Sequence, residues 1–216
     1  MLRTTRALGT LVFITLITPG CEDRADDATP PQAATAEHHA SAPNTATGPT
    51  HPATPLNESQ SVEALGTLNA GEIELARYAL GRTQTTQGRD LAQMMIDQHT
   101  EAEANVVAWA LAHSVVGETN DVTPAVTTIV SSVRTRLEYA SDANFDRTYA
   151  QTQIEMHEGA LDILDNRVLP GARDASFRTL VTTIRGGVAT HLAHARMVLA
   201  EVPVSSAGVA TSDHMH

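Results

Sequence analysis

From Ser59 onward the apolar residues recur every three or four positions, in four separate stretches, and nowhere alternate as a half-buried strand would. Leu65, Leu68, Glu72, Leu75 and Ala79 step along one face of a first helix. Leu91, Met95, His99, Ala102, Val106 and Trp109 do so in a second, and Phe145, Tyr149, Gln153, His157, Ala160 and Leu164 in a third. Leu180, Ile184, Val188, His191, Ala195 and Val198 form a fourth. The breaks fall at Gly81 with Thr83 to Gly88, at Gly117 to Pro124, at Ser141 to Asn144 and at Pro170-Gly171. Asp142 and Asp174 are expected N-caps. Ala125 to Tyr139 is expected to form a shorter helix in the long middle connection. Four amphipathic helices with short first and last connections predict an all-α, antiparallel four-helix bundle, with a crossover allowed by that connection. Only three Phe, three Tyr and one Trp are present, so Leu, Val, Ile, Ala and Met must fill its core.

Three histidines, His99, His157 and His191, interrupt otherwise apolar faces near the middle of three different helices, and Glu72 does so on the fourth. Side chains from facing helices converge at one level of a bundle, where metal sites are built. Neutral imidazole is the commonest metal ligand. One carboxylate with three imidazoles is a reasonable ligand set for a single transition metal ion: Zn, Cu or Fe. His194, three residues beyond His191, is a weaker candidate. Asp97 and Glu155 lie two residues from an inward histidine and point away from it. The alternative is a metal-free structural or interaction bundle in the envelope, stress-protective or partner-binding, in which Glu72 pairs with one histidine and Tyr149 with another, and Tyr149, Asp146 and Met95 belong to a structural network. Met95, Met156 and Met197 read as packing rather than soft copper ligands. The His38-His39 pair and the terminal Asp213-His214-Met215-His216 lie in segments with little apolar content. Neutral buried histidines further predict that acid near pH 5 to 6 loosens the fold.

The N-terminus carries a different signal. Arg3 and Arg6 precede an apolar run from Ala7 to Thr18, which is too short for a span of about 20 apolar residues. Leu16-Ile17-Thr18-Pro19-Gly20-Cys21 resembles the lipobox of bacterial lipoproteins, with Gly20 in the small-residue position before the cysteine. That resemblance implies acylation of Cys21 and export to the cell envelope, anchored on the periplasmic face of the inner or outer membrane. Cys21 is the chain's single cysteine, so it closes no internal disulfide. From Glu22 to about Ser59 the chain is rich in Ala, Thr, Pro, Ser and His and reads as a tether. The expected organisation is a signal peptide over 1–20, a tether over 21–59, the bundle over 60–201 and a tail over 202–216.

Charge and missing motifs exclude several classes. The formal charge is −11 and every basic residue is arginine. That balance opposes nucleic-acid binding, which needs a basic footprint, and leaves the lipid anchor as the expected route to a membrane. The sequence offers no pointer to a protein partner. No phosphate-binding glycine loop, Gly-x-Ser-x-Gly elbow or cysteine pair is present.

Met95-Ile96-Asp97-Gln98-His99, Phe145-Asp146-Arg147 with Tyr149, His157, His191-Leu192 and Glu72-Ile73-Glu74-Leu75-Ala76 together resemble the motifs of the DUF4142 family over roughly Val62 to Leu199. The resemblance implies an exported bacterial protein with a ferritin-like bundle and no assigned function. Gln98 departs from the aspartate usual in that family before the second-helix histidine, and Gly186-Gly187 stand where a proline is common. No Glu-x-x-His occurs in the bundle helices, so the carboxylate cage of a ferritin-like di-iron centre is missing. A binding or sensory module that captures an ion, rather than an enzyme that turns over substrate, is the expectation.

Overall fold

The computed structural model describes residues 54–202. Among these there is no strand, and five long helices carry the fold. They are α1 (Glu58–Leu80), α2 (Thr86–Ala112), α3 (Val122–Tyr139), α4 (Asp142–Ile163) and, after a short α5 (Leu169–Gly171), α6 (Ala175–Glu201). Helix α1 lies against α2, α4 against α6, and α2 against α6, which makes the expected all-α four-helix bundle. Helix α3 is the extra helix of the middle connection and packs along α1 and touches α4. None of the described helices is long and apolar enough to cross a membrane.

Local chemistry sets the helix ends. Asn57 caps α1 in a reciprocal capping box with Gln60, each side chain bonding the other's backbone N–H. Asp174 caps α6 as expected, accepting from the Phe177 N–H at 2.9 Å. At α4 the N-cap is Ser141, not Asp142. Asp142 instead takes the first helical position, where its charge suits the helix dipole and pairs with Arg82 at 2.8 Å. Helix α3 begins at Val122, three residues earlier than expected, and includes Pro124. A first-turn proline omits an N–H that has no intrahelical partner anyway. Asn120 receives the N–H groups of Val122 and Thr123.

Two features have no signature in the sequence periodicity. Helix α4 runs on through a π-helical turn, Leu164–Val168, whose carbonyl at Arg167 receives the N–H of Leu56 at 2.8 Å. Leu56 is buried against the bundle ahead of α1. A Cβ at Gly171 would lie 1.7 Å from the Leu56 carbonyl oxygen, so only glycine lets this entry segment seat so closely. The second feature is the role of Asp146, expected in a core network but bonded instead to the turn between α1 and α2. Although it belongs to α4, its buried carboxylate accepts from the Gln84 N–H at 3.0 Å and from the Thr85 N–H at 2.7 Å. It also accepts from the Thr85 hydroxyl. One carboxylate thereby pins the turn between α1 and α2 onto α4. Asp146→Ala leaves those donors unmet and is expected to cost about 3–5 kcal/mol in urea unfolding. A loss below about 1 kcal/mol would show that the turn does not depend on this anchor.

Candidate metal centre

Helices α2, α4 and α6 each bring one histidine to the same level of the core. His99, His157 and His191 are all buried, at 6, 1 and 3 % exposure. One ligand nitrogen from each lies within 4.8 Å of the other two. Their ring centroids are 5.1 to 5.7 Å apart and the ring planes are steeply inclined to one another. Stacking is therefore absent among the three rings.

Each ring is held from behind. The His99 Nδ1–H donates to Asn69 Oδ1 at 3.0 Å, and Asn69 in turn donates from Nδ2 to Glu103 Oε2 at 3.1 Å. The second contact fixes which end of the Asn69 amide faces the ring. The His157 Nδ1–H donates to the backbone carbonyl of Gln153 at 2.8 Å. The His191 Nε2–H donates to Gln98 Oε1 at 2.7 Å. A neutral imidazole carries one proton, so each bond leaves the opposite nitrogen as a lone pair. Those nitrogens are His99 Nε2, His157 Nε2 and His191 Nδ1. His157 Nε2 and His191 Nδ1 lie 3.3 Å apart. His99 Nε2 is buried without any partner. Two lone pairs at such a distance repel, and a buried orphan nitrogen is costly. A tetrahedral ion with nitrogen bonds near 2.0–2.1 Å would separate its ligands by about 3.3 Å, which matches the closer pair.

Burial holds all three imidazoles neutral. His99 is pushed down to about 3, by burial first and then by the neighbouring His157 and His191. His157 is pushed down to about 4 by burial, against the opposing hydrogen bond to the Gln153 carbonyl. His191 falls to about 4, by burial, His157 and His194. At neutral pH the three nitrogens are ready donors with no proton to shed.

The other sequence candidates fall elsewhere. Glu72 is buried, but it sits on the Nδ1 side of His157, 3.7 Å from that atom, and outside the three-nitrogen cluster. It accepts from Gln153 Nε2 at 3.1 Å, and burial pushes it up to about 7. Tyr149 is buried nearby with its hydroxyl unpartnered, and burial, with the Glu72 carboxylate, raises it well above the phenol range. His194 is half-buried and outside the cluster. Met95 lies in the core below His99, and Met197 is exposed. Asp97 and Glu155 are exposed, as their spacing predicts. Cys21, His38, His39 and the Asp213–His216 tail lie outside the described residues.

A family model described as a domain of unknown function (DUF4142) matches residues 41–198. The chain belongs to the DUF4142 family. Among solved structures it is similar to a conserved hypothetical protein, rv2844, of Mycobacterium tuberculosis, with 16 % identity and a TM-score of 0.49 over 68 % of this chain and 92 % of that one. No curated protein matches. In this DUF4142 chain, the two supporting side chains that periodicity did not single out are Asn69 and Gln98. Asn69 carried a usable signal, because it is a polar residue four positions after Leu65 and three before Glu72 on the inner face. Gln98 sits beside His99 in sequence yet holds a histidine of another helix. A carboxylate there would bind the His191 Nε2–H more strongly and add negative charge near an ion. Gln98→Glu is therefore expected to tighten zinc binding about tenfold in a chelator competition, and Gln98→Ala to weaken it by a similar factor. Equal affinities in all three proteins would remove Gln98 from the site.

Proposed function

We propose that this protein is a lipid-anchored envelope module that captures one transition metal ion through His99, His157 and His191. The observation that carries the reading is three buried imidazoles that bring one ligand nitrogen each within 4.8 Å of the others, each ring hydrogen-bonded to a separate partner. Imidazole nitrogen suits Zn, Cu and Fe, and among the described residues no thiolate or carboxylate joins the cluster. Glu72 serves behind His157 as a buried acid rather than as a fourth ligand. The lipobox-like stretch ending at Cys21 supports the anchor, and the acidic chain supports a role away from nucleic acid.

One observation favours a metal-free network instead. If the Gln98 amide turns, it donates to His191 Nε2, and His191 Nδ1–H then donates to His157 across the 3.3 Å gap. That arrangement satisfies two histidines but still strands His99 Nε2, and the metal reading accounts for all three. Elemental analysis separates them. Protein exported with its own N-terminus, without an affinity tag, is expected to carry about one equivalent of a single transition metal. Metal at background, with zinc affinity weaker than micromolar on titration, would establish the network reading. Acylation is tested separately, by the mass of the mature N-terminus and its loss in Cys21→Ser.

A further inference from the structure

Resting on the metal reading, we propose that the captured ion keeps one coordination position open toward a groove between α2 and α6, and that a small exogenous anion binds there. The groove has a volume of about 280 Å³ and its walls include Asn69, Gln98, His99, Leu180, Gly187 and His191. It thus reaches two of the three ligand histidines from outside. His157 is not part of its wall, so the third ligand closes the far side.

Three facts assign an open position to that side. First, no carboxylate or thiolate of the described residues joins the three nitrogens, and Glu72 stands on the Nδ1 side of His157, away from its free nitrogen. The described residues thus supply three His, Cys or carboxylate ligands and no fourth, the arrangement that leaves zinc-type sites open to an exogenous ligand. Second, His99 Nε2 is an unpartnered nitrogen on a buried residue of the groove wall. Third, a divalent ion on three neutral imidazoles retains its full charge in a poorly solvated place. The nearby carboxylates are engaged elsewhere: Glu72 with Gln153 and Glu103 with Asn69. Glu101 contributes to the outer wall, where it is exposed. A small anion at the metal offsets charge that none of them reaches.

Gly187 explains why the route is clear. It lies inside α6, where glycine costs about 1 kcal/mol relative to alanine. A Cβ there would meet nothing within 4 Å, so close packing does not require glycine. It stands one turn before His191 and on the same helix face. Its lack of a side chain leaves the groove unfilled beside that ligand. Half-buried Leu180 and Ile184 pack against the core with one side and line the same wall with the other. A groove of this volume readily admits a ligand of a few heavy atoms.

The test uses the intact protein loaded with cobalt(II), whose visible spectrum reports coordination, and sodium azide as the anion. Azide is expected to change the spectrum saturably, with one azide per cobalt. Gly187→Leu is expected to take up cobalt as the parent does and to bind azide at least tenfold more weakly. Gly186→Leu also meets empty space but is not part of the groove wall, and is expected to respond like the parent. A cobalt-loaded protein whose spectrum azide does not change would overturn the open position. A Gly187→Leu protein with unaltered azide affinity would overturn the groove as its route. Failure to take up cobalt at all would instead sink the metal reading, and the anion site with it.

Discussion

Acidifying the metal-free protein from pH 7.5 to 5 is expected to remove on the order of 3 kcal/mol of folding stability, measured by urea unfolding. In the unfolded chain each histidine titrates near its ordinary value of 6.5, whereas in the fold the three cluster histidines are held at about 3, 4 and 4. Their folded values are depressed, so their contribution is complete above 6.5 and is lost as the pH falls from there toward 4. At pH 5 each has lost about 2 kcal/mol, or about 6 kcal/mol together. Glu72 acts in the opposite sense. Its folded value is raised to about 7 from an ordinary 4.5, so the unfolded chain gives up that proton first and stability falls as the pH rises from 4.5 through 7. Acidification to pH 5 therefore recovers about 2–3 kcal/mol from Glu72, which leaves the net loss stated. The other ionisable groups facing the cluster are Tyr149, which stays neutral throughout, half-buried His194, and Glu103 beyond Asn69. Glu72→Gln keeps an acceptor for Gln153 and deletes the opposing contribution. It is expected to stabilise the protein by about 2–3 kcal/mol at pH 8 and to steepen its loss in acid. Unfolding midpoints of Glu72→Gln that coincide at pH 7.5 and 5 would show that the histidines are not held neutral, because the opposing Glu72 contribution is gone.

The three histidines were legible because helical periodicity reports the angle of a side chain around its axis. Each was also near the middle of its helix, which in a bundle with short connections sets a common level. Periodicity likewise placed Glu72 inward, and it is buried. What periodicity does not report is which side of a neighbouring ring a side chain reaches, and Glu72 reaches the Nδ1 side of His157. Gln98 shows the same limit from outside. About 100° separates it from His99 around α2, so the pattern sends it to the surface, yet its side chain spans to His191 on α6. Asp146 was readable as a buried polar group, but not as an anchor for a turn some sixty residues earlier, because that bond depends on how α4 meets the turn between α1 and α2. The π-helical turn at Leu164–Val168 left no trace in the apolar spacing, which simply ends there.

Saturating zinc is expected to raise the stability of the parent protein by about 4 kcal/mol when free metal is a thousandfold above its dissociation constant. For a domain of this size that corresponds to a rise of about 10 °C in Tm. The gain arises because the folded state presents three positioned nitrogens and the unfolded chain does not. It grows with the logarithm of free zinc, which distinguishes linkage from a nonspecific salt effect. His157→Ala removes the ligand whose Nδ1 is fixed by the Gln153 carbonyl and leaves two nitrogens. That variant is expected to stay helical and to lose nearly all of the zinc response. Packing must be separated from ligation, since any large-to-small change in this core leaves a cavity. Met95→Ala provides the comparison: its side chain is fully buried one turn before His99 but offers the cluster no ligand nitrogen. It is expected to cost about 2–4 kcal/mol without metal and to keep the zinc increment intact. A zinc increment that survives in His157→Ala would move the binding site away from the three histidines. An increment lost equally in both variants would mean that the metal senses the integrity of the bundle rather than this ligand.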